Sequence, residues 1–357
     1  MNEHGGNVLE MALKTGLNPA DILDFSANIN PLGMPASLKA AIIAQLDSAE
    51  CYPDVEYRRL HAALARAHHC QPENIIAGNG ATELIYAVVN RLRPRTALLL
   101  TPGFAEYRRA LRRAKCRIQH YPLEEESGFQ PDERLLKVLA EQRPDCLFIA
   151  TPNNPTGLMP DPALLQAILT CCQQHDIALI VDEAFIDFLP DTPGFIPQIA
   201  NYPQLYILRS LTKFFAIPGL RLGYLVSSDL AGIRQMKQAR EPWTINTFAA
   251  LAGEIILDDC HYIQQTHQWL AQQRAWLFDA LAAIPQLRVW PGAANYIFLR
   301  CLRPELDLQQ ALLQQQILIR HCANYPGLSA DYYRVAIKSE AANRRLNAAL
   351  RQVFADG

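Results

Sequence analysis

Between residues 74 and 228 short apolar runs alternate with segments of helical spacing. Residues 75–77, 97–100, 146–150, 177–181, 205–208 and 222–226 are the apolar runs, and each stops at a polar or Gly/Pro turn. Residues 82–92, 104–114 and 164–174 carry apolar positions at helical spacing between them. A strand that is apolar on both faces must be covered on both faces, so this alternation predicts an α/β fold with a mostly parallel sheet between helices. After Asp229 the pattern changes. Long helical stretches at 247–257 and 262–284 lead into strand-like runs at 287–290, 295–299, 317–320 and 333–337, then a last helix at 340–354. Strands beside helices without strict alternation predict a smaller α+β domain. The bend Pro31-Leu32-Gly33 lets the N-terminal stretch join it. The division expected is a large α/β domain at 30–235 and a small one built from 1–29 and 236–357.

Composition narrows the classes. A chain of 357 residues with 50% hydrophobic and 19% charged residues can bury a full core and is not a disordered protein. A net charge of −2 gives no reason to expect nucleic acid or an anionic membrane as partner. No run approaches the ~18 apolar residues of a membrane span, and the first residues have neither a basic nor an apolar signal region. The nine Cys are scattered apart from Cys171-Cys172 and form no CxxC pair. They read as reduced cysteines of a cytoplasmic protein, with no metal site expected.

In an open parallel sheet a ligand lies at the carboxyl ends of the strands, and four polar strand ends qualify. Gly78-Asn79-Gly80-Ala81-Thr82-Glu83 is a glycine turn opening a helix, either an ordinary connection or an anion cradle of free N–H groups and the Thr82 hydroxyl. Thr151-Pro152-Asn153-Asn154-Pro155-Thr156-Gly157 is rich in turn formers, yet its Asn amides can equally serve a ligand oxygen. Asp182 closes a buried run, so its carboxylate must be solvated, paired or turned toward a cationic group. In Ser210-Leu211-Thr212-Lys213-Phe214-Phe215 a lysine sits among apolar residues, which disfavours the ammonium and makes the amine nucleophilic. Of 33 basic residues only seven are Lys, and Lys213 alone follows a strand-like run with hydroxyl residues beside it.

These four ends, with Arg221, describe a pyridoxal phosphate site. Asn154-Pro155-Thr156-Gly157, Asp182 and Ser210-x-x-Lys213 with Arg221 eight residues on resemble, in order and spacing, the fold-type I pyridoxal phosphate enzymes of the class I and II aminotransferase family. The resemblance implies that Lys213 links to the cofactor, Asp182 pairs with its ring nitrogen and Asn154 bonds its ring oxygen. It places Gly80, Ala81, Thr82, Ser210 and Arg221 around the cofactor phosphate. Tyr57, in Tyr52-Pro53-Asp54-x-x-Tyr57, matches a tyrosine that reaches the partner's phosphate, which implies a homodimer. Phe185 departs from the tyrosine that many aminotransferases carry there.

A nearer resemblance covers almost the whole chain. His4-Gly5-Gly6-Asn7, the stretch from Asp24 to Pro31, Thr101-Pro102-Gly103-Phe104-Ala105-Glu106-Tyr107, the stretch from Asp182 to Phe188, and Cys322-Ala323-Asn324-Tyr325-Pro326-Gly327 together resemble the threonine-phosphate decarboxylase family of cobalamin biosynthesis, in which Phe185 is the expected residue. It implies L-threonine O-3-phosphate as substrate, with His4, Gly5, Asn28, Asn154, Arg320 and Arg334 binding it. Arg320 and Arg334 suit two anionic groups, and the sequence does not say which takes the phosphate. Histidinol-phosphate aminotransferase is the enzyme alternative. A binding module built on the same fold is disfavoured by intact Lys213 and Asp182 and the lack of a helix-turn-helix extension.

Overall fold

The structure is a computed structural model describing residues 4–355. After the short strand β1 (Leu23–Asp24), seven strands form the central sheet: β2 (Ile75–Asn79), β3 (Thr96–Thr101), β4 (Arg117–Pro122), β5 (Cys146–Ala150), β6 (Ala178–Asp182), β7 (Leu205–Ser210) and β8 (Leu222–Val226). Their order is β2-β8-β7-β6-β5-β3-β4. β3 to β7 pair in parallel, whereas β8 runs against both β2 and β7. The mostly parallel sheet predicted by the apolar runs is present. β4 is the strand the pattern did not show, because this edge strand, Arg-Ile-Gln-His-Tyr-Pro, buries none of its residues fully.

Each sheet face has its own core. Ile76, Leu99, Phe148, Ile180, Tyr206 and Leu225 point one way, and Ala77, Leu98, Leu147, Leu179, Ile207 and Val226 the other. That alternation is the two-residue period of a strand. Chain order gives the helices α1 (Val8–Thr15), α2 (Ala36–Ala44), α3 (Arg58–His68), α4 (Ala81–Leu92), α5 (Ala105–Arg113), α6 (Arg134–Gln142), α7 (Pro162–Gln174), α8 (Leu230–Ala239), α9 (Thr247–Ile255) and α10 (Cys260–Ala282). α4, α5 and α8 cover the first face, and α3, α6 and α7 the second.

A second, four-stranded sheet has the order β12-β13-β10-β9, built from β9 (Leu287–Trp290), β10 (Tyr296–Cys301), β12 (Arg320–His321) and β13 (Tyr332–Ala336). The run at 317–320 is divided. β11 (Ile317–Leu318) pairs in parallel with β1, tying the N-terminal stretch to the C-terminal part, and β12 pairs with β13. After α11 (Leu308–Gln314), which precedes β11, the described chain closes with α12 (Glu340–Ala355).

α9 departs from the expected division. Although it lies beyond residue 236, it packs against α2, α3 and β8 of the large sheet. Its small buried residues Ala249, Ala252 and Gly253 explain the close approach. A Cβ on Gly253 would run into Leu60 Cδ1 and lie 2.9 Å from Leu222 Cδ2.

A buried ionic cluster joins the ends of β6 and β7. Arg209, beside Ser210, places Nε 2.8 Å from Glu183 and Nη1 2.9 Å from Asp187. Glu183, beside Asp182, also accepts from the Phe195 amide at 2.7 Å. Burial pushes both carboxyl groups up, and the guanidinium opposes it. Two substitutions test this packing. Gly253→Val should lower stability by about 1–3 kcal/mol through overpacking, seen as a lower denaturant midpoint. Arg209→Met should cost about 3–5 kcal/mol, since it leaves two carboxylates buried without their cation.

Candidate active site

Because β2, β5, β6 and β7 run in one direction, their polar carboxyl ends gather on one edge of the sheet. They open on a cavity of about 520 Å³ that is also walled by residues 4–6, 24–29 and the second sheet. Ala81, Thr82, Asn154, Asp182, Ser210, Lys213 and Arg221 all line it. Five separate chain segments thus meet at one place.

Lys213 follows β7 on a tight turn and donates from Nζ to Ser210 Oγ at 3.1 Å. Burial pushes its amine down to about 8; Asp182 opposes the shift, while Arg221 and Arg334 add to it. The neutral, nucleophilic amine is therefore far more populated near neutral pH than in an exposed lysine. Asp182 ends β6, accepting from the Tyr107 hydroxyl and, at 2.9 Å, from the Ala184 amide. Burial raises its carboxyl, against the pull of those two donors and Lys213. A buried carboxylate on a cavity wall is placed to take a cationic N–H from a ligand.

The α4 N-terminus supplies the anion cradle. Its first N–H groups have no acceptor within the helix. Gly80, with φ +79, caps it, and a Cβ there would meet the Arg221 guanidinium. Gly80 itself is not on the wall; its lack of a side chain is what admits Arg221. Ser210 Oγ lies 2.9 Å from Thr212 Oγ1 and shares the same corner.

Another part of the wall carries a buried arginine. Arg334 on β13 is 5% exposed; it donates through Nη1 to Asn154 Oδ1 at 2.5 Å and through Nη2 to the Ser26 carbonyl at 3.0 Å. Asn28 lines the cavity with a buried Oδ1 that meets no partner among the described residues. Arg320 faces Arg334 across the β12–β13 ladder but is not on the wall. It hydrogen-bonds the Tyr325 hydroxyl, which donates to Asn154 Oδ1 at 3.2 Å. His4 and Gly5 lie on the wall, and Gly5 abuts the Ser26 carbonyl so closely that no Cβ fits.

Tyr57 lies apart from this cavity, in a cleft shared with Pro53, Asp54 and Ala250. It is buried within its own chain, its hydroxyl accepting from the Ile245 amide at 3.0 Å and donating to the Ile245 carbonyl at 2.9 Å. Tyr52, in the same motif, is 79% exposed and stacks on Trp243 at 4.5 Å. Phe185 lies on the wall, edge-on to Tyr296 at 5.0 Å, with Lys213 Nζ 5.6 Å from its ring centre. Tyr107, Phe104, Ser26 and Tyr325, which stand in the motifs of the nearer resemblance without an assigned role, also line the cavity. Tyr107 and Phe104 stand just past the Thr-Pro-Gly turn after β3, a strand end no different in kind from the four considered.

The donor set fits pyridoxal phosphate. A cradle kept open by Gly80, a nucleophilic amine and a buried carboxylate share one cavity, matching a phosphate, an aldehyde and a ring nitrogen.

Residues 20–350 match the family described as aminotransferase class I and II. The chain is 54% identical over 351 residues to threonine-phosphate decarboxylase of Salmonella typhimurium, covering 98% of this chain and 96% of that one. It is 30% identical to the adenosylcobalamin biosynthesis bifunctional protein CobDQ of Leptospira interrogans, over 99% of this chain and 41% of that larger protein. Among solved structures, histidinol-phosphate aminotransferase from Clostridium acetobutylicum superposes with a TM-score of 0.88 at 32% identity, covering 94% of this chain and 100% of its own. By sequence and by fold, this chain belongs to the class I and II aminotransferase family.

Proposed function

We propose that this chain is a pyridoxal phosphate-dependent decarboxylase that converts L-threonine O-3-phosphate to (R)-1-amino-2-propanol O-2-phosphate and CO2 in cobalamin biosynthesis. The observation that carries the reading is the 54% identity, end to end, with a threonine-phosphate decarboxylase. The similarity to a CobDQ protein agrees with the pathway.

When bound, pyridoxal phosphate supplies an electron sink for the pair released as a bond at the substrate's Cα breaks. Lys213 would link to it, Asp182 would hold the proton on its ring nitrogen, and Asn154 would bond its ring oxygen. The α4 N-terminus from Gly80 to Thr82, with Ser210 and Arg221, would hold its phosphate. Phe185 offers no hydrogen bond, so Asn154 is left to serve the ring oxygen. On the substrate side, Arg334, Asn28 and the segment His4-Gly5 would grip the two anionic groups. Arg320 would act from behind, through Tyr325 and Asn154. A grip on both anions would fix how Cα is turned, and so would decide between losing CO2 and losing a proton. Lys213 Nζ, freed when the substrate amine displaces it, would then donate a proton to Cα where the carboxylate has left.

We assign residues 30–235 to the large domain and 1–29 with 236–357 to the small one, with α9 docked on the large sheet. A homodimer in the cytoplasm completes the reading. Tyr52, Trp243, Ile43 and Leu46, apolar and exposed on this chain, support a second copy as partner, and the unpaired cysteines suit a reducing compartment.

The purified holoenzyme should release CO2 from L-threonine O-3-phosphate. Glutamate-dependent amino transfer to imidazole-acetol phosphate, without CO2 release, would assign it instead to the histidinol-phosphate aminotransferases. Lys213→Ala should abolish both turnover and the absorbance band of the lysine-linked cofactor. The wild-type apo chain should capture pyridoxal phosphate faster as pH rises, levelling off near 8. An ordinary lysine would keep accelerating to about pH 10.4.

A further inference from the structure

Glu106 lies on the first turn of α5, next to Tyr107, and is 5% exposed. Three parts of the chain converge on its carboxylate. His4 Nε2 lies 2.9 Å and Arg109 Nη1 2.8 Å from Oε1, and the Tyr86 hydroxyl of α4 donates to Oε2 at 2.9 Å. An ionised carboxylate only accepts, so the His4 nitrogen that faces it carries a proton. The position suits an anion, since the start of a helix bears partial positive charge.

The contact bridges two parts of the molecule. His4 lies on the cavity wall with its ring 5.7 Å from Phe104. The backbone beyond it is held from the other side, where the Gly6 amide donates to Ser26 Oγ at 2.8 Å and Ser26 Oγ donates to Asp24 Oδ1 at 2.6 Å. The N-terminal segment is thus fastened at Ser26 by its backbone and at Glu106 by a side chain. Without the second fastening the segment can keep its backbone site while the imidazole leaves the wall.

We infer that Glu106 is a positioning residue that fixes the His4 ring against the cavity and thereby sets how tightly the site holds a phosphorylated amino acid. Glu106 does not line the cavity and acts through His4. The ligand class rests on the function proposed above; the fastening itself does not.

The test is a double-substitution cycle on the holoenzyme with His4→Ala, Glu106→Gln and the pair, with Tyr86→Phe as control. Binding of L-threonine O-3-phosphate is followed through the cofactor absorbance, alongside KM and kcat for CO2 release. Glu106→Gln and His4→Ala should each raise Kd and KM about tenfold, the effect of losing one charge-assisted hydrogen bond. For Glu106→Gln kcat should stay within about twofold, and the double variant should be no worse than His4→Ala alone. Tyr86→Phe removes another Glu106 contact and should leave KM unchanged. An unchanged KM in Glu106→Gln, full additivity with His4→Ala, or an equal rise in Tyr86→Phe would overturn the inference. If Glu106→Gln does not fold, Glu106→Asp is read by the same criteria. Because Kd needs no turnover, absence of CO2 release counts against the reaction and not against Glu106.

Discussion

Burial of the Asp182 carboxylate at the end of a central strand is the constraint around which the site is arranged. At 8% exposure it is poorly solvated by water there, so the protein must stabilise it. Tyr107 from α5, the Ala184 amide and the charge of Lys213 share the task. Each of these groups is thereby held on the cavity. The same burial that raises the Asp182 carboxyl lowers the Lys213 amine, so one dry corner yields both a poised proton holder and a nucleophile.

Just beneath, Arg209 ties Glu183 to Asp187, and so ties the residue after Asp182 to the residue before Ser210. Neighbouring parallel strands already fix the height of their carboxyl ends through the ladder. The ion pairs fix the turns that follow, where the functional side chains are. Glu106 has the analogous place on the other side, where the wall at residues 4–6 belongs to no sheet ladder.

The substrate side is assembled differently. Arg334 and Arg320 stand opposite each other on β13 and β12, so the sheet register sets their spacing. Only Arg334 reaches the cavity, while Arg320 supports Tyr325 and Asn154. Asn154 therefore belongs to both halves of the site, adjacent to the cofactor-linking elements and bonded to the arginine layer. Asn154 would thereby tie the orientation of a bound substrate to the arginine layer.

The large sheet, its two-sided burial and the four polar strand ends were legible in the sequence, since apolar runs of strand length have no other way to be covered. Lys213 stood out for the same reason, as a cation where the pattern demands an apolar residue. β4 was hidden because an edge strand need not be apolar. The packing of α9 on the large sheet was not legible, because chain position does not say which surface a stripe of small residues will meet. Tyr57 and Tyr52 share one motif, and only the helix that begins beyond Tyr57 turns one inward and leaves the other exposed. Likewise, nothing local distinguishes Arg334 on the wall from Arg320 behind it, or marks Glu106 as the anchor of His4. Periodicity and residue chemistry act within a few positions along the chain, and so they determined the elements and the reactive groups. Which of those groups face one another across 100 or more residues was decided by strand register and packing alone.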